Sequence, residues 1–188
     1  MNKYLWLLFV AGAALTWGAY VVTIDQGRTK LAEGLPKQYT IVAAMRAFLF
    51  IGLAYFVMAV VVPGLFLATN KPPAGVDPGF NWRGSAFSTV AGILGAAGAL
   101  CIVFAVTYAR RSGMPAAPLL VAPLVFSFAP IINCLITLVV EPPDEKPSPV
   151  FFLGLVLAAA GAFIVLKFKP ETHHVAATAE VSALAQKA

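Results

Sequence analysis

Long apolar runs separated by short polar stretches dominate the 188-residue chain. A helix needs about 20 apolar residues to cross a hydrocarbon core of ~30 Å, and each run is close to or above that length. Membrane-spanning strands are about 10 residues long and alternate apolar with polar positions, which these runs do not. The pattern predicts an all-α integral membrane protein, a bundle of five transmembrane helices at about 4–24, 41–69, 86–109, 117–140 and 150–168. They form one domain, 1–169, followed by a polar, Ala-rich tail at 170–188.

The composition supports a membrane protein, because 60% of the residues are apolar and only 11% are charged. Soluble domains contain about 45–50% apolar and about 25% charged residues. These values argue against a soluble enzyme, a disordered chain and a disulfide-stapled secreted domain. Cys101 and Cys134 both lie inside apolar segments, so we interpret them as small apolar side chains.

The formal net charge of +5 does not indicate a nucleic-acid partner, because no basic run is longer than Arg110-Arg111. In a membrane protein, Lys and Arg in the loops mark the cytoplasmic side instead. Four basic residues fall on one side of the predicted bundle and nine on the other: Lys3, Lys71, Arg83 and Lys146 against Arg28, Lys30, Lys37, Arg46, Arg110, Arg111, Lys167, Lys169 and Lys187. The count predicts an external amino terminus and a cytoplasmic carboxyl terminus, in a bacterial-type inner (plasma) membrane.

The fourth segment carries most of its polar atoms on one face. At 100° per residue, this face collects Pro123, Ser127, Pro130, Cys134 and Thr137, with Asn133 on its flank. An interior proline lacks the N–H that would bond the carbonyl four residues before it, so that carbonyl needs another donor from protein or from a wet cavity. The face is therefore either a helix–helix contact or a substrate path that uses Ser127, Pro130 and Asn133.

Two further residues are candidates for the mouth of such a path. Arg46 is the charge that lies furthest inside an apolar segment, and ionisable residues inside membranes are candidate functional residues. Its long side chain is also able to reach the membrane surface, or to pair with Asp25 or Glu33. Tyr20, near the end of the first segment, is either a mouth residue or an interfacial anchor.

Small residues recur at helical spacing in four of the five segments. They include Gly12, Gly92, Gly95, Gly154 and Gly161, which we interpret as sites of close helix packing. No Asp or Glu lies inside the predicted segments, so we expect no proton relay through membrane-embedded carboxylates. A phosphate-binding loop, a His/Cys metal cluster and a nucleophile–base pair are also missing from the sequence, so we expect no enzyme activity, no cofactor and no metal.

The second half of the chain resembles a known family. The run PLLVAPLVFSFAPIINCLITLVVEPPDEKPSPVFFLGLVLAAAGAFIVL is similar to the end of an EamA-type repeat of the drug/metabolite transporter superfamily, through Pro130, Glu141, Gly154 and Gly161. LTWGAYVV resembles the Trp-Gly signature of that repeat's first helix, and YARRSGMPAAPLL resembles the link between its third and fourth helices. Typical members carry two repeats, so the resemblance implies that a one-repeat chain works as a dimer.

The residues and the resemblance together predict an EamA-like membrane permease for a small metabolite, acting as a homodimer in the lipid bilayer. Its substrate would bind near the midplane between repeats. The alternative is a non-catalytic structural or assembly subunit of a larger membrane complex, in which other membrane subunits cover the same surfaces.

Overall fold

All regular structure in this computed structural model, which describes residues 4–70, 79, 81–114 and 116–168, is helical. The elements are α1 (Leu5–Ala32), a 3₁₀ turn (Lys37–Tyr39), α2 (Thr40–Phe56), a π-helical turn (Val57–Val61), α3 (Val62–Thr69), α4 (Trp82–Arg111), α5 (Ala117–Val140) and α6 (Pro149–Lys167). The part from Lys37 to Thr69 is one continuous helical rod, which gives five helices long and apolar enough to cross a membrane. This confirms the prediction of an all-helical chain with five such helices. The predicted tail at 170–188 lies outside the described residues.

The helices begin and end at recognisable local signals. Pro149 opens α6, and the Ser148 side chain caps it by accepting a bond from the Phe151 N–H at 3.3 Å. Gly113 follows the C-terminal end of α4 and has a φ of 82°. Its N–H donates to the Arg110 carbonyl, and the Met114 N–H donates to the Ala109 carbonyl. This pair of bonds is a Schellman motif, which requires the left-handed conformation that glycine adopts without strain.

The first helix is longer than the apolar segment that predicts it. α1 runs on through Ala32, past the predicted end at residue 24, so half of the polar stretch expected to be a loop is helical. Pairs of opposite charge at i, i+3 stabilise this last part, and Gly34, with a φ of 76°, follows its end.

Pro63 perturbs the second membrane-length helix without breaking it. The π-helical turn Val57–Val61 ends just before the short helix that contains Pro63. A proline ring clashes with the carbonyl four residues before it, here that of Ala59, and a π turn widens the helix at that place. The helical rod thus accommodates Pro63 through a π turn upstream of it.

The chain forms two compact units, Met1–Tyr108 and Ala109–Ala188. In the first unit, α1 packs against α2, and burial is confined to the last part of α1, the first part of α2 and the last part of α4. In the second unit, α5 packs against α6, and the buried residues are Ala117, Leu120, Val121 and Ala162.

Most of the large apolar side chains are exposed, including those along the outer parts of all five long helices. Soluble monomers rarely expose contiguous apolar surface beyond a few hundred Å². Exposing apolar surface to water is unfavourable, whereas exposing it to the hydrocarbon of a membrane is not.

Candidate functional site

A groove runs between α1 and α2 in the first unit. It encloses a cavity of about 400 Å³, lined on one side by Ile24, Gly27 and Leu31 and on the other by Ala47, Phe50, Ile51 and Ala54. No charged side chain lines it, and the one threonine hydroxyl in its wall, that of Thr23, donates to the Ala19 carbonyl at 2.9 Å. The groove is therefore almost entirely apolar along its length. We call it the α1–α2 groove.

A pair of tyrosines marks the end of the α1–α2 groove furthest from the link between the two helices. The Tyr55 hydroxyl donates to the Tyr20 hydroxyl at 3.3 Å, and the Tyr20 ring meets Trp17 edge to face, with centroids 5.1 Å apart. Tyr20 also lines a second cavity of about 190 Å³, together with Thr16, Trp17 and Tyr55. Tyr20 is one of the candidate residues that the sequence predicts. Tyr55 is not, because the sequence does not show which residue of α2 faces Tyr20.

Arg46 lies beside the other end of the α1–α2 groove. It precedes Phe50, a lining residue, by one turn of α2, and its side chain is exposed. Of the alternatives for Arg46, the ion pair with Asp25 or Glu33 is not formed, since Asp25 pairs with Arg28 and Glu33 pairs with Lys30. Arg46 makes no ion pair or hydrogen bond within the described part of the chain.

The Asp25–Arg28 ion pair is a feature that sequence reasoning missed. Its N–O distance is 2.9 Å, and the two residues are only 4% and 3% exposed. The Arg28 Nε is buried without a hydrogen-bond partner among the described residues, and Asp25 takes part in a further contact. Asp25 lies one residue beyond the apolar segment predicted at 4–24, but inside α1, which runs on to Ala32. The i, i+3 spacing was visible in the sequence, but the burial was not.

The polar face of α5 lies in the second unit. Pro123, Ser127 and Cys134 are half-buried there, whereas Pro130, Asn133 and Thr137 are exposed. The side chains of Ser127 and Asn133 have no hydrogen-bond partner within the residues that the structure describes. α5 remains one continuous helix despite its interior prolines Pro123 and Pro130. The three predicted residues Ser127, Pro130 and Asn133 thus share one helix, while Tyr20 and Arg46 belong to the first unit.

The five glycines predicted to mediate packing make no close helix contact within the described chain. All are exposed, and a Cβ added at any of them would meet nothing within 4 Å: Gly12, Gly92, Gly95, Gly154 and Gly161. Packing through these glycines within one chain is therefore not seen, and packing between copies stays a prediction.

The chain was compared with known protein families, curated proteins and solved structures. No family model matches it, and no curated protein or solved structure is significantly similar to it. Within the described residues, no three His, Cys, Asp or Glu side chains lie close enough together to hold a metal ion.

Proposed function

We propose that the chain is a multi-pass membrane permease for a small metabolite, and that it works as a homodimer with the polar face of α5 along the substrate path. The observation that carries the proposal is the exposed Asn133 side chain on that face, which has no hydrogen-bond partner among the described residues. An amide offers two donors and one acceptor oxygen. Burying such a group without partners costs several kcal/mol, so a lipid-facing position is unfavourable for it.

The position of Asn133 along α5 places it well inside the apolar span. It lies seven residues before the end of the helix at Val140, or about 10 Å at a rise of 1.5 Å per residue. Ser127 lies further from that end, on the same face. A second copy of the chain, together with water or a polar solute between the copies, would supply the missing hydrogen bonds.

The wider setting of this proposal follows the sequence. We place the chain in a bacterial-type inner membrane with the amino terminus outside, because nine of the thirteen basic residues fall on the opposite side. Its similarity to an EamA-type repeat rests on Trp17, Gly18, Pro130 and Glu141 among other positions, and it favours a dimer because such transporters carry two repeats. Tyr20 and Arg46 are expected at the mouth of the path, but Tyr20 lines the α1–α2 groove and Arg46 lies beside that groove, so the proposed path does not include them.

A non-catalytic subunit of a larger membrane complex is the second candidate. The same observation favours it, because a different membrane protein is able to cover Asn133 as well as a second copy does. The two proposals differ in the partner, which is a second copy of the chain or a different membrane protein. They also differ in whether water reaches the covered face of α5.

Gentle extraction followed by native mass spectrometry separates the two candidates. The permease proposal expects a homodimer, whereas a stoichiometric foreign chain would support the subunit instead. A monomer that carries neither partner would contradict both.

The path itself is tested by Asn133→Ala in proteoliposomes that contain the purified chain. If Asn133 bonds the substrate, its loss removes about 0.5–1.5 kcal/mol of binding, which lowers the apparent affinity up to about tenfold. Ile132→Ala is the matched control, because Ile132 is exposed on the other side of the same helix. If Asn133→Ala left the uptake of every solute that the wild type transports unchanged, the polar face of α5 would be a helix-packing surface and not a substrate path.

A further inference from the structure

The α1–α2 groove has the dimensions of one half of a bilayer. Its lining extends from Tyr20 to Leu31 along α1, which at 1.5 Å per residue is about 16 Å. One leaflet of a hydrocarbon core of ~30 Å is about 15 Å thick. An acyl chain that enters at the end near Leu31 therefore reaches the level of Tyr20 when extended.

The walls of the α1–α2 groove exclude a polar ligand along most of its length. The lining between Ile24 and Ala54 offers no charged group, and the Thr23 hydroxyl is already bonded to its own helix. A polar solute in this position would lose its hydration without gaining hydrogen bonds, which is unfavourable. The side chain that ends the groove, Tyr20, is half-buried and bonded to Tyr55. The occupant that fits is an apolar chain.

The charge at the open end indicates what this apolar chain is attached to. The exposed charged residues near that end of α1 and α2 are three cations, Lys30, Lys37 and Arg46, and one carboxylate, Glu33. Glu33 is bound by Lys30 at 2.9 Å, while the buried Asp25 and Arg28 balance each other. Lys37 and Arg46 are left as exposed cations without an ion pair among the described residues, and Arg46 is the one adjacent in sequence to a groove-lining residue, Ala47.

A guanidinium matches a phosphate group in shape and charge, because its planar fork forms two parallel N–H···O bonds. Basic residues between membrane helices bind the head groups of anionic lipids when they lie at the level of the membrane surface. Arg46 lies six residues into α2 and one turn before Phe50 of the groove wall, and its long side chain is able to reach the membrane surface on the side with the larger number of basic residues.

We propose that the α1–α2 groove is a binding site for one anionic phospholipid. The lipid phosphate binds Arg46, and one acyl chain lies between Gly27 and Phe50 with its end against Tyr20 and Tyr55. The proposal is independent of whether the chain transports a solute.

The experiment uses the full chain in nanodiscs that hold equal amounts of phosphatidylglycerol and phosphatidylcholine with identical acyl chains. Native mass spectrometry counts the lipids that remain bound after the disc is removed. The wild type is expected to retain phosphatidylglycerol in preference to phosphatidylcholine. Arg46→Gln should lower that preference about fivefold, which corresponds to about 1 kcal/mol for one basic residue at the membrane surface. Lys37→Gln is the charge-matched control and should leave it nearly unchanged.

A second variant tests the chain-binding part of the groove. A Cβ at Gly27 meets nothing within 4 Å, so the side chain of Gly27→Leu enters the cavity without forcing the backbone. It should reduce retention of both lipids. Gly18→Leu is the matched control, because Gly18 is equally open on the same helix and lies outside the groove.

Four outcomes would overturn the proposal. Equal effects of Arg46→Gln and Lys37→Gln would mean diffuse attraction to the membrane surface, and equal effects of the two leucine variants would mean that the groove holds no chain. Displacement of the retained lipid by inorganic phosphate would assign the site to a free anion. A change from dimer to monomer in Gly27→Leu, with lipid retention unaltered, would identify a second copy of the chain as the occupant.

Discussion

Two ion pairs on α1 offer a direct measurement of what burial does to charge in this protein. Asp25–Arg28 and Lys30–Glu33 have the same i, i+3 spacing and the same N–O distance of 2.9 Å. The side chains of Asp25 and Arg28 are 6% and 4% exposed, and those of Lys30 and Glu33 are 75% and 64% exposed. Asp25→Asn and Glu33→Gln each remove one negative charge with almost no change of shape, so they differ mainly in solvent exposure.

The expected free energies of unfolding differ severalfold. Removing one member of a buried pair typically costs about 3–5 kcal/mol, because the other charge is left uncompensated. Asn keeps an oxygen that still accepts from Arg28, so the lower end, about 3 kcal/mol, applies to Asp25→Asn. An exposed pair on one helix contributes about 0.3–0.5 kcal/mol, which sets the expected loss for Glu33→Gln. Among the described residues, the Arg28 Nε is buried without an acceptor, and the guanidinium donates to Asp25 alone.

The assay is an unfolding titration of the purified chain in one detergent, followed by tryptophan fluorescence. A third variant, Asp25→Leu combined with Arg28→Met, removes both charges and should recover most of the loss, because apolar replacements of buried pairs are often neutral or stabilising. Equal losses for Asp25→Asn and Glu33→Gln would refute the reasoning. So would a double variant as unstable as the single one, because the penalty would then not come from the unpaired Arg28.

Further predictions concern the tyrosine pair and the orientation of the chain. Tyr55→Phe removes the donor to Tyr20 and should cost about 0.5 kcal/mol in the same titration, the low end for a hydrogen bond because the bond is long. The double variant Tyr20→Phe with Tyr55→Phe should cost no more than the sum of the single ones. In a background where both cysteines are alanine, Lys146→Cys should react with an impermeant thiol reagent in intact cells and Ser112→Cys should not; the reverse pattern would place the amino terminus in the cytoplasm.

The helices were predictable where hydropathy changes sharply. The segment predicted at 117–140 is the observed α5 without any shift, because Pro115 precedes it and the Pro-rich acidic stretch that starts at Glu141 follows it. α4 instead begins at Trp82 rather than at residue 86, since the Asn81 side chain caps the polar first turn by accepting from the Arg83 N–H. Polar helical turns at the ends of a span leave no signal in a hydropathy profile.

The candidate sites were less predictable because they depend on how one helix faces another. Tyr20 and Tyr55 are 35 residues apart in sequence, and only the packing of α1 against α2 brings their hydroxyls together. The same packing creates the groove beside Arg46, which the sequence presented as an isolated charge. The polar face of α5, in contrast, belongs to a single helix, so helical spacing alone shows which residues share that face.

Asn133 and Arg46 require different partners, and this difference separates the two proposals physically. A neutral amide inside the apolar span finds no hydrogen bond in acyl chains, so only protein, water or a polar solute satisfies Asn133. A guanidinium at the end of a span reaches lipid head groups, and an anionic phosphate satisfies Arg46 without any second protein. A homodimer that covers Asn133 therefore gives Arg46 no anion, and a bound phospholipid gives Asn133 no hydrogen bond. Under the two proposals, the polar face of α5 would determine which chains assemble, whereas the α1–α2 groove would determine which lipids accompany them.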